Sequence, residues 1–517
     1  MNAQNTNEIS TVFQQLEKWA TLQPQASALR FDGRETLTYA GLIENIKTVS
    51  GVLHHHGLGR NDRIAVVHPN GPELALTILG IMASASCAPL NPKYTAAEFE
   101  FYLVDLNIKA VIVRSGMKSP IFAVCETLNI PIIELEAAAD SPIGSLKFKN
   151  MPEHGGEVLD FSEPEDTAII LHTSGTTSRP KIVPLTQHNI MCSSHNIART
   201  LRLSAQDSCF NIMPLFHIHG IMAGLLSPLV SGGSVICSPG FAEDPFFVSR
   251  FFPWMINLQP TWYTAVPTMH QAVLAQAERY PDIAEQCPLR FIRSSSASLA
   301  PQVMTALEAL FRSPVIEAYG MTEAAHQMAS NPLPPLAHKP KSVGLAAGPE
   351  VAIMDAEGNV LPSGATGEIV IRGPNVMRAY ENNPAANESS FFGDWFRTGD
   401  QGVMDDENYL FLTGRLKELI NRGGEKISPR EIDEVLLDPP AIAQAVTFAA
   451  PHPTLGEVAA AAIVLREGQQ LDAKTLQAFA GQRLAPYKIP NPIVFVDEIP
   501  KGPTGKLQRI GLAEKLL

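Results

Sequence analysis

His172-Thr173-Ser174-Gly175-Thr176-Thr177-Ser178-Arg179-Pro180-Lys181 is the stretch on which the reading of this chain turns. Ten residues hold five hydroxyls, one glycine and two cations, and apolar Ala168-Ile169-Ile170-Leu171 precedes them. A short apolar run entering a glycine- and hydroxyl-rich turn reads as a buried strand delivering a loop to a ligand. Backbone N–H groups and hydroxyls in such a turn suit phosphate oxygens, and a lysine adds charge. The same residues also fit an ordinary Ser/Thr-rich surface turn. The stretch is not a Walker A loop: Pro180 stands where the second glycine would be and Ile182 where Ser/Thr would follow the lysine.

Upstream, Arg63-Ile64-Ala65-Val66-Val67 and the apolar runs 108–113 and 130–133 read as buried strands separated by helical patterns. That alternation predicts a parallel α/β sheet. Leu29 and Phe31, the turn at Gly33 and Leu37-Thr38-Tyr39 suggest a hairpin, followed by a helix over 39–53. The adjacent His54-His55-His56 cannot share one helix face, so they read as a solvated helix end rather than a metal site. No G-x-G-x-x-G follows the first strand, which argues against a dinucleotide fold. Residues 137–165 read as a surface connection.

Downstream, a helix is expected over 187–201, then Asn211-Ile212-Met213-Pro214-Leu215-Phe216-His217-Ile218-His219-Gly220. Two histidines two residues apart could ligate a metal from a strand. No cysteine or carboxylate stands beside them, so a strand end placing one imidazole in a pocket is the sharper reading. Strands at 261–267 and 290–293 follow, the second running into Ser294-Ser295-Ser296-Ala297-Ser298. Val315-Ile316 leads into Glu317-Ala318-Tyr319-Gly320-Met321-Thr322-Glu323. From 343 to 372 short strands and frequent turns predict an antiparallel β subdomain, closed by Trp395-Phe396-Arg397-Thr398-Gly399-Asp400.

Residues 414–428 are glycine-rich and charged, and Ser428-Pro429-Arg430-Glu431 has the form of a capping box with proline at the first helical position. The tail predicts a helix through Leu437, a strand over 459–465, a helix over 473–484 and a strand over 492–496. Near the end stands Pro500-Lys501-Gly502-Pro503-Thr504-Gly505-Lys506, which by itself also fits a solvated basic turn.

At 517 residues the chain is too long for one core. Thirty-nine Lys and Arg against 52 Asp and Glu give a net charge of −13, which argues against general nucleic-acid binding. Six scattered cysteines without a C-x-x-C pair fit reduced thiols in a cytoplasmic enzyme. The N-terminus lacks the form of a signal peptide. The longest apolar run, 74–90, is interrupted by Thr77, Ser84, Ser86 and Pro89 and reads as a buried helix and turn, not a membrane span.

The stretches 172–181, 317–323, 397–400, 414–428 and Gly505-Lys506, in this order and spacing, resemble the adenylate-forming superfamily of acyl-CoA synthetases, luciferases and peptide-synthetase adenylation domains. The resemblance runs from about Thr38 to Arg509. Within it, 261–271, 291–301, 321–334 and 420–429 are similar to the oxalate–CoA ligase branch. Ile182, where the family usually has glycine, and Ser295, where that branch often has cysteine, are departures.

The resemblance implies a large N-terminal domain, 1–413, of parallel α/β sheets plus a small β subdomain. A small mobile α+β domain, 414–517, would follow, hinged near Lys417. It implies ATP, Mg²⁺ and the co-substrate coenzyme A. Thr173, Ser174, Gly175, Thr176, Thr177 and Lys181 would hold the β- and γ-phosphates. Glu317, Ala318, Tyr319 and Gly320 would form the adenine side, with Tyr319 stacking on the base. Thr322 would touch the α-phosphate, Glu323 would ligate the metal, and Asp400 with Arg415 would hold the ribose. Lys506 would bridge the substrate carboxylate and α-phosphate, and Gly423 and Gly424 would line the CoA path. Ser295, Ser296, His217, His326 and Arg293, with Ser294, are the candidates for the acid pocket.

The implied reaction is attack of a carboxylate on ATP and capture of the acyl group by a thiol, oxalate being the leading acid. Another short or aromatic acid is a second possibility. A stand-alone module loading a carrier protein is a third, although no Gly-Gly-x-Ser-Leu carrier site is present. The sequence leaves the oligomeric state open.

Overall fold

The computed structural model describes residues 10–136, 141–150, 160–173, 180–241, 244, 246–500 and 507–517. Two large sheets dominate. In the seven-stranded sheet, Arg63–Val67 pairs in parallel with Ser86–Pro89 and Ala110–Arg114. Ala110–Arg114 pairs in parallel with Ile132–Glu136, and Ser86–Pro89 with Thr167–His172. Antiparallel strands Lys147–Phe148 and Ile182–Thr186 close its two edges. The connecting helix Pro72–Ser84 is buried at all thirteen positions. That burial explains why 74–90 is apolar on every side, and among the described residues no helix is long and apolar enough to cross a membrane.

The nine-stranded sheet carries a parallel centre of Ser234–Cys237, Ser208–Asn211, Trp262–Ala265, Phe291–Ser295 and Val315–Met321. Its edges turn antiparallel through Leu37–Thr38 on one side and His326–Ser330 and Leu345–Ala346 on the other. The expected hairpin at 29–39 is therefore present, with Leu29 opposite Leu37. Buried aliphatic side chains form a continuous core against both sheets, and a second, aromatic-rich core packs beneath Phe247–Leu258.

A five-stranded antiparallel sheet follows, built from Glu350–Met354, Thr366–Arg372, Phe391–Phe392, Trp395–Met404 and Leu410–Arg415. It begins a little later than the change of pattern at Val343, because Leu345–Ala346 is recruited by the large sheet. A second five-stranded sheet lies beyond Leu416. Its longest pairing joins Ile442–His452 to Gly456–Leu465; the second strand was expected over 459–465, whereas the first went unread in the sequence. Four alanines interrupt the β-branched and aromatic residues of Ile442–His452 and carry little β signal alone; pairing decides their state.

Ser428 is the N-cap of Pro429–Leu436, but the capping box does not form. Both Glu431 oxygens are held by Lys488 Nζ at 2.7 Å, so the glutamate cannot reach back, and the Ser428 hydroxyl makes no cap bond. His55 and His56 are exposed at a helix end, as expected for a solvated terminus.

Candidate active site

In open parallel sheets, ligands bind beyond the carboxyl ends of the strands. Here that edge opens into a cavity of about 520 Å³. Its walls come from Thr173 and Lys181, from His217, from 296–298, from 318–323 with His326, and from 397–400 with Arg415 and Lys417. Among the described residues, parts of four of the stretches singled out in the sequence, at 172–181, 317–323, 397–400 and 414–428, thus meet in one place.

Strand Thr167–His172 enters the loop and Ile182–Thr186 leaves it, antiparallel. Thr173 and Lys181 close the neck: Thr173 N–H donates to the Lys181 carbonyl at 2.9 Å, and Lys181 N–H to Thr173 Oγ1 at 3.1 Å. Residues 174–179 lie outside the described residues, so the expected phosphate contacts of Ser174, Gly175, Thr176 and Thr177 lie there too. At the root, His172 Nε2 sits 2.9 Å from Asp105 Oδ2. Lys181 Nζ lies 4.3 Å from the Tyr380 ring centroid. Burial first, then Lys417, hold its ammonium below the ordinary lysine value, while Glu323 pulls the other way.

Val315–Met321 and the turn Thr322–Ala324 bring Ala318, Tyr319, Gly320, Thr322 and Glu323 to the cavity. Gly320 is required sterically, since a Cβ there would lie 1.7 Å from the His326 carbonyl oxygen. The Tyr319 hydroxyl donates to Asp400 Oδ2 at 2.5 Å, and Arg415 Nε lies 3.2 Å from Asp400 Oδ1. Asp400 and Arg415 are cross-strand partners, which sets that pairing. Arg397 grips Glu368 through two nitrogens at 2.7 and 2.9 Å, and Glu368 accepts from Gly399 N–H, fixing the turn that presents Asp400.

Glu323 is only 6% exposed, and burial raises its carboxyl above the ordinary range. Tyr380 opposes this by donating to Glu323 Oε1 at 2.7 Å. Sequence reading missed Tyr380, an isolated aromatic 57 residues away with no motif around it.

Several candidates are placed otherwise than expected. Glu317 does not line the cavity; its Oε1 accepts from Leu299 N–H at 3.2 Å, anchoring the end of the 296–298 segment. Ser295 is buried and donates to the Ala318 carbonyl at 2.8 Å, so its hydroxyl is spent on backbone. Arg293 is fully buried beneath the floor, so neither an exterior salt bridge nor a direct cavity contact fits it. Gly423 and Gly424 form an exposed hairpin turn between Ile420–Arg422 and Glu425–Ile427, away from the cavity lining. Lys506 lies outside the described residues.

Ser296, His217 and His326 do line the cavity. His217 is not on a strand: it caps the short helix Ile218–Ile221, its Nδ1 accepting from His219 N–H at 3.3 Å. The neighbouring His219, noted in sequence but passed over, is fully buried. Its ring stacks on His326 with centroids 4.8 Å apart, and its Nδ1 lies 3.1 Å from Ser296 Oγ. Among the described residues no cluster of three or more His, Cys, Asp or Glu could hold a metal by itself. A metal at Glu323 therefore needs oxygens from a ligand, which is how Mg²⁺ is commonly held beside phosphates.

Residues 16–381 match the AMP-binding enzyme family, and 431–506 match the AMP-binding enzyme C-terminal domain. The chain is 42% identical to the oxalate–CoA ligase of Arabidopsis thaliana over 97% of its own length and 98% of the relative's. It is 43% identical to the oxalate–CoA ligase of Saccharomyces cerevisiae, covering 88% and 87% of the two chains. Among solved structures, ATP-bound MatB from Rhodopseudomonas palustris superposes with a TM-score of 0.87 at 27% identity, covering 98% of both chains. Family matches over both parts of the chain, together with relatives above 40% identity along most of its length, leave one assignment: the chain belongs to the AMP-binding enzyme family.

Proposed function

We propose that the protein is an AMP-forming acid–CoA ligase whose acid is oxalate. The observation that carries this reading is that three sets of groups line one cavity. Tyr319, Asp400 and Arg415 are joined by direct contacts; Lys181, Thr322 and Glu323 form a second set, and Ser296, His217 and His326 a third. The first group suits a nucleoside, the second a polyphosphate, and the third a small polar acid. Imidazoles and a hydroxyl in that last group supply hydrogen-bonding groups where a fatty or aromatic acid would need apolar walls. Two relatives above 40% identity carry the name oxalate–CoA ligase.

A carboxylate is a poor acyl donor because oxide is a poor leaving group. Its attack on the α-phosphate releases pyrophosphate and leaves AMP as the group that a thiol later displaces. Charge builds on phosphate oxygens, so the site needs donors and cations rather than a strong base. Lys181 steadies the leaving pyrophosphate, Thr322 contacts the α-phosphate, and Asp400 accepts the ribose hydroxyls. Glu323, with phosphate oxygens of the nucleotide, would hold Mg²⁺, which would supply charge neutralisation there. Lys506 acts at the reacting carboxylate. Residues 414–517 form the moving unit, with Lys417 at the hinge and Gly423 and Gly424 brought to the thiol path in the second half-reaction. Their exposed positions, with φ of +59° and +99°, suit close passage of a thin pantetheine arm. Six free cysteines suit a reducing, cytoplasmic setting.

The test is AMP release from ATP and CoA with a panel of carboxylic acids. Oxalate should give the highest kcat/KM. Turnover of benzoates or fatty acids with oxalate inert would overturn the assignment of the acid, and no AMP release with any acid would overturn the ligase reading.

A further inference from the structure

Arg293 is a guanidinium with no exposed surface, in the centre of the nine-stranded sheet. Among the described residues no carboxylate pairs with it. Its contacts are neutral: His219 Nε2 at 3.3 Å, Gln327 Oε1 at 3.3 Å and Thr264 Oγ1 at 3.5 Å from its terminal nitrogens, while its Nε has no hydrogen-bond partner. Burial lowers it to about 9, so it still carries a charge at neutral pH. A buried cation without a counter-ion is costly, and such a charge is tolerated where something else compensates it.

The direction of the hydrogen bonds says where compensation comes from. Arginine only donates, so His219 Nε2 accepts and the ring proton sits on Nδ1. Thr264 Oγ1, 2.6 Å from the same Nε2, accepts from Arg293 and donates its O–H to that lone pair, which it shares with the longer Arg293 contact. Nδ1–H then donates to Ser296 Oγ at 3.1 Å. The Ser296 hydroxyl, its acceptor side taken, turns its O–H to an acceptor in the cavity it lines. Ser296 and His326 both hold left-handed backbone, with φ of +73° and +90°, at this end of the cavity.

The geometry points to Arg293 as a positioning residue that, through His219 and Ser296, selects acids carrying a second anionic group at the far end from the reacting carboxylate. This deepens the ligase reading and rests on it, but not on oxalate in particular, since any short acid with a second anion would satisfy the relay.

The experiment measures pyrophosphate release for oxalate, malonate and sulfoacetate against acetate and propionate, with the acid varied at saturating ATP and then ATP varied at fixed acid. The variants are Arg293→Met, Arg293→Lys, His219→Phe, Ser296→Ala and the Arg293→Met/Ser296→Ala double variant. Loss of one charge-assisted link lowers kcat/KM for the doubly charged acid by about tenfold or more. The loss falls mainly on its KM, with KM for ATP unchanged and Arg293→Lys partly restored. The double variant is no worse than the poorer single one, because both changes break one chain. Equal losses on singly and doubly charged acids, a parallel change in KM for ATP, or additive losses would overturn the inference. Should Arg293→Met fail to fold, Ser296→Ala and His219→Phe decide by the same criteria. Wild-type activity with malonate or sulfoacetate but not oxalate would remove the oxalate assignment and leave this inference standing. Wild-type activity with singly charged acids alone would remove it.

Discussion

Replacing Glu317 by glutamine should stabilise the protein at pH 8 and leave it unchanged near pH 4. Glu317 is 4% exposed, its Oε2 has no hydrogen-bond partner among the described residues, and burial pushes its carboxyl from 4.5 up to about 7. Between those two values the unfolded chain has released the proton and the folded chain still binds it. Stability therefore falls as pH rises through that window, is fully retained below it, and is flat above it. Each pH step of one within it costs about 1.4 kcal/mol, so the whole window amounts to about 3 kcal/mol. Glutamine keeps an oxygen for Leu299 N–H and removes the titration. With unfolding entropy near 2.1 cal/mol/K per residue and roughly 400 residues melting together, 3 kcal/mol corresponds to about 3–4 °C. Differential scanning fluorimetry of both proteins at pH 5 and pH 8 measures this. The gap between them should widen by about 2–3 °C toward pH 8. A gap independent of pH, or a variant that loses stability at pH 8, would refute the reasoning and show Glu317 to be a satisfied anion.

Tyr380→Phe removes the hydroxyl that favours ionised Glu323, so the acid limb of the AMP-formation profile should move to higher pH. The rate on that acid limb should fall by about tenfold, with a smaller loss on the alkaline side of it; an unmoved limb would count against the role. Gly320→Ala must push apart two paired strands at the cavity wall, and calorimetry should detect no ATP binding; unchanged affinity would mean that the wall yields. Lys506→Ala should abolish adenylation while thioester formation from a supplied acyl-adenylate is largely kept, and an equal loss in both halves would sink the two-conformation scheme.

Much of this was legible because the informative residues sit where backbone demands are local. The run 168–171 is apolar since it is a buried strand paired on both sides, and the hydroxyl-rich turn follows from where that strand ends. Gly320 and Tyr319 share a motif because they share one strand end. What escaped depends on pairings that no local pattern encodes. Ser295 and Ser296 are adjacent and chemically identical, yet Ser295, the last residue of its strand, gives its hydroxyl to a neighbouring carbonyl, while the left-handed backbone at Ser296 leaves the other in the cavity. His217 and His219 are equally prominent in sequence, but only the fold shows that the second is buried against Thr264, Arg293 and Ser296. The Ser428 capping box failed because Lys488, 57 residues from Glu431, took its partner.

The hydrogen bonds that assemble the cavity span long stretches of chain: 81 residues for Tyr319 to Asp400, 77 for His219 to Ser296, and 57 for Glu323 to Tyr380. Contacts of such high order form late, after loop-closure entropy has been overcome. A nascent chain thus has no nucleotide site until residues beyond Arg415 have emerged and docked, and no early folding intermediate can be rescued by ATP. Nucleotide binding during refolding should rise with the last kinetic phase and not before it.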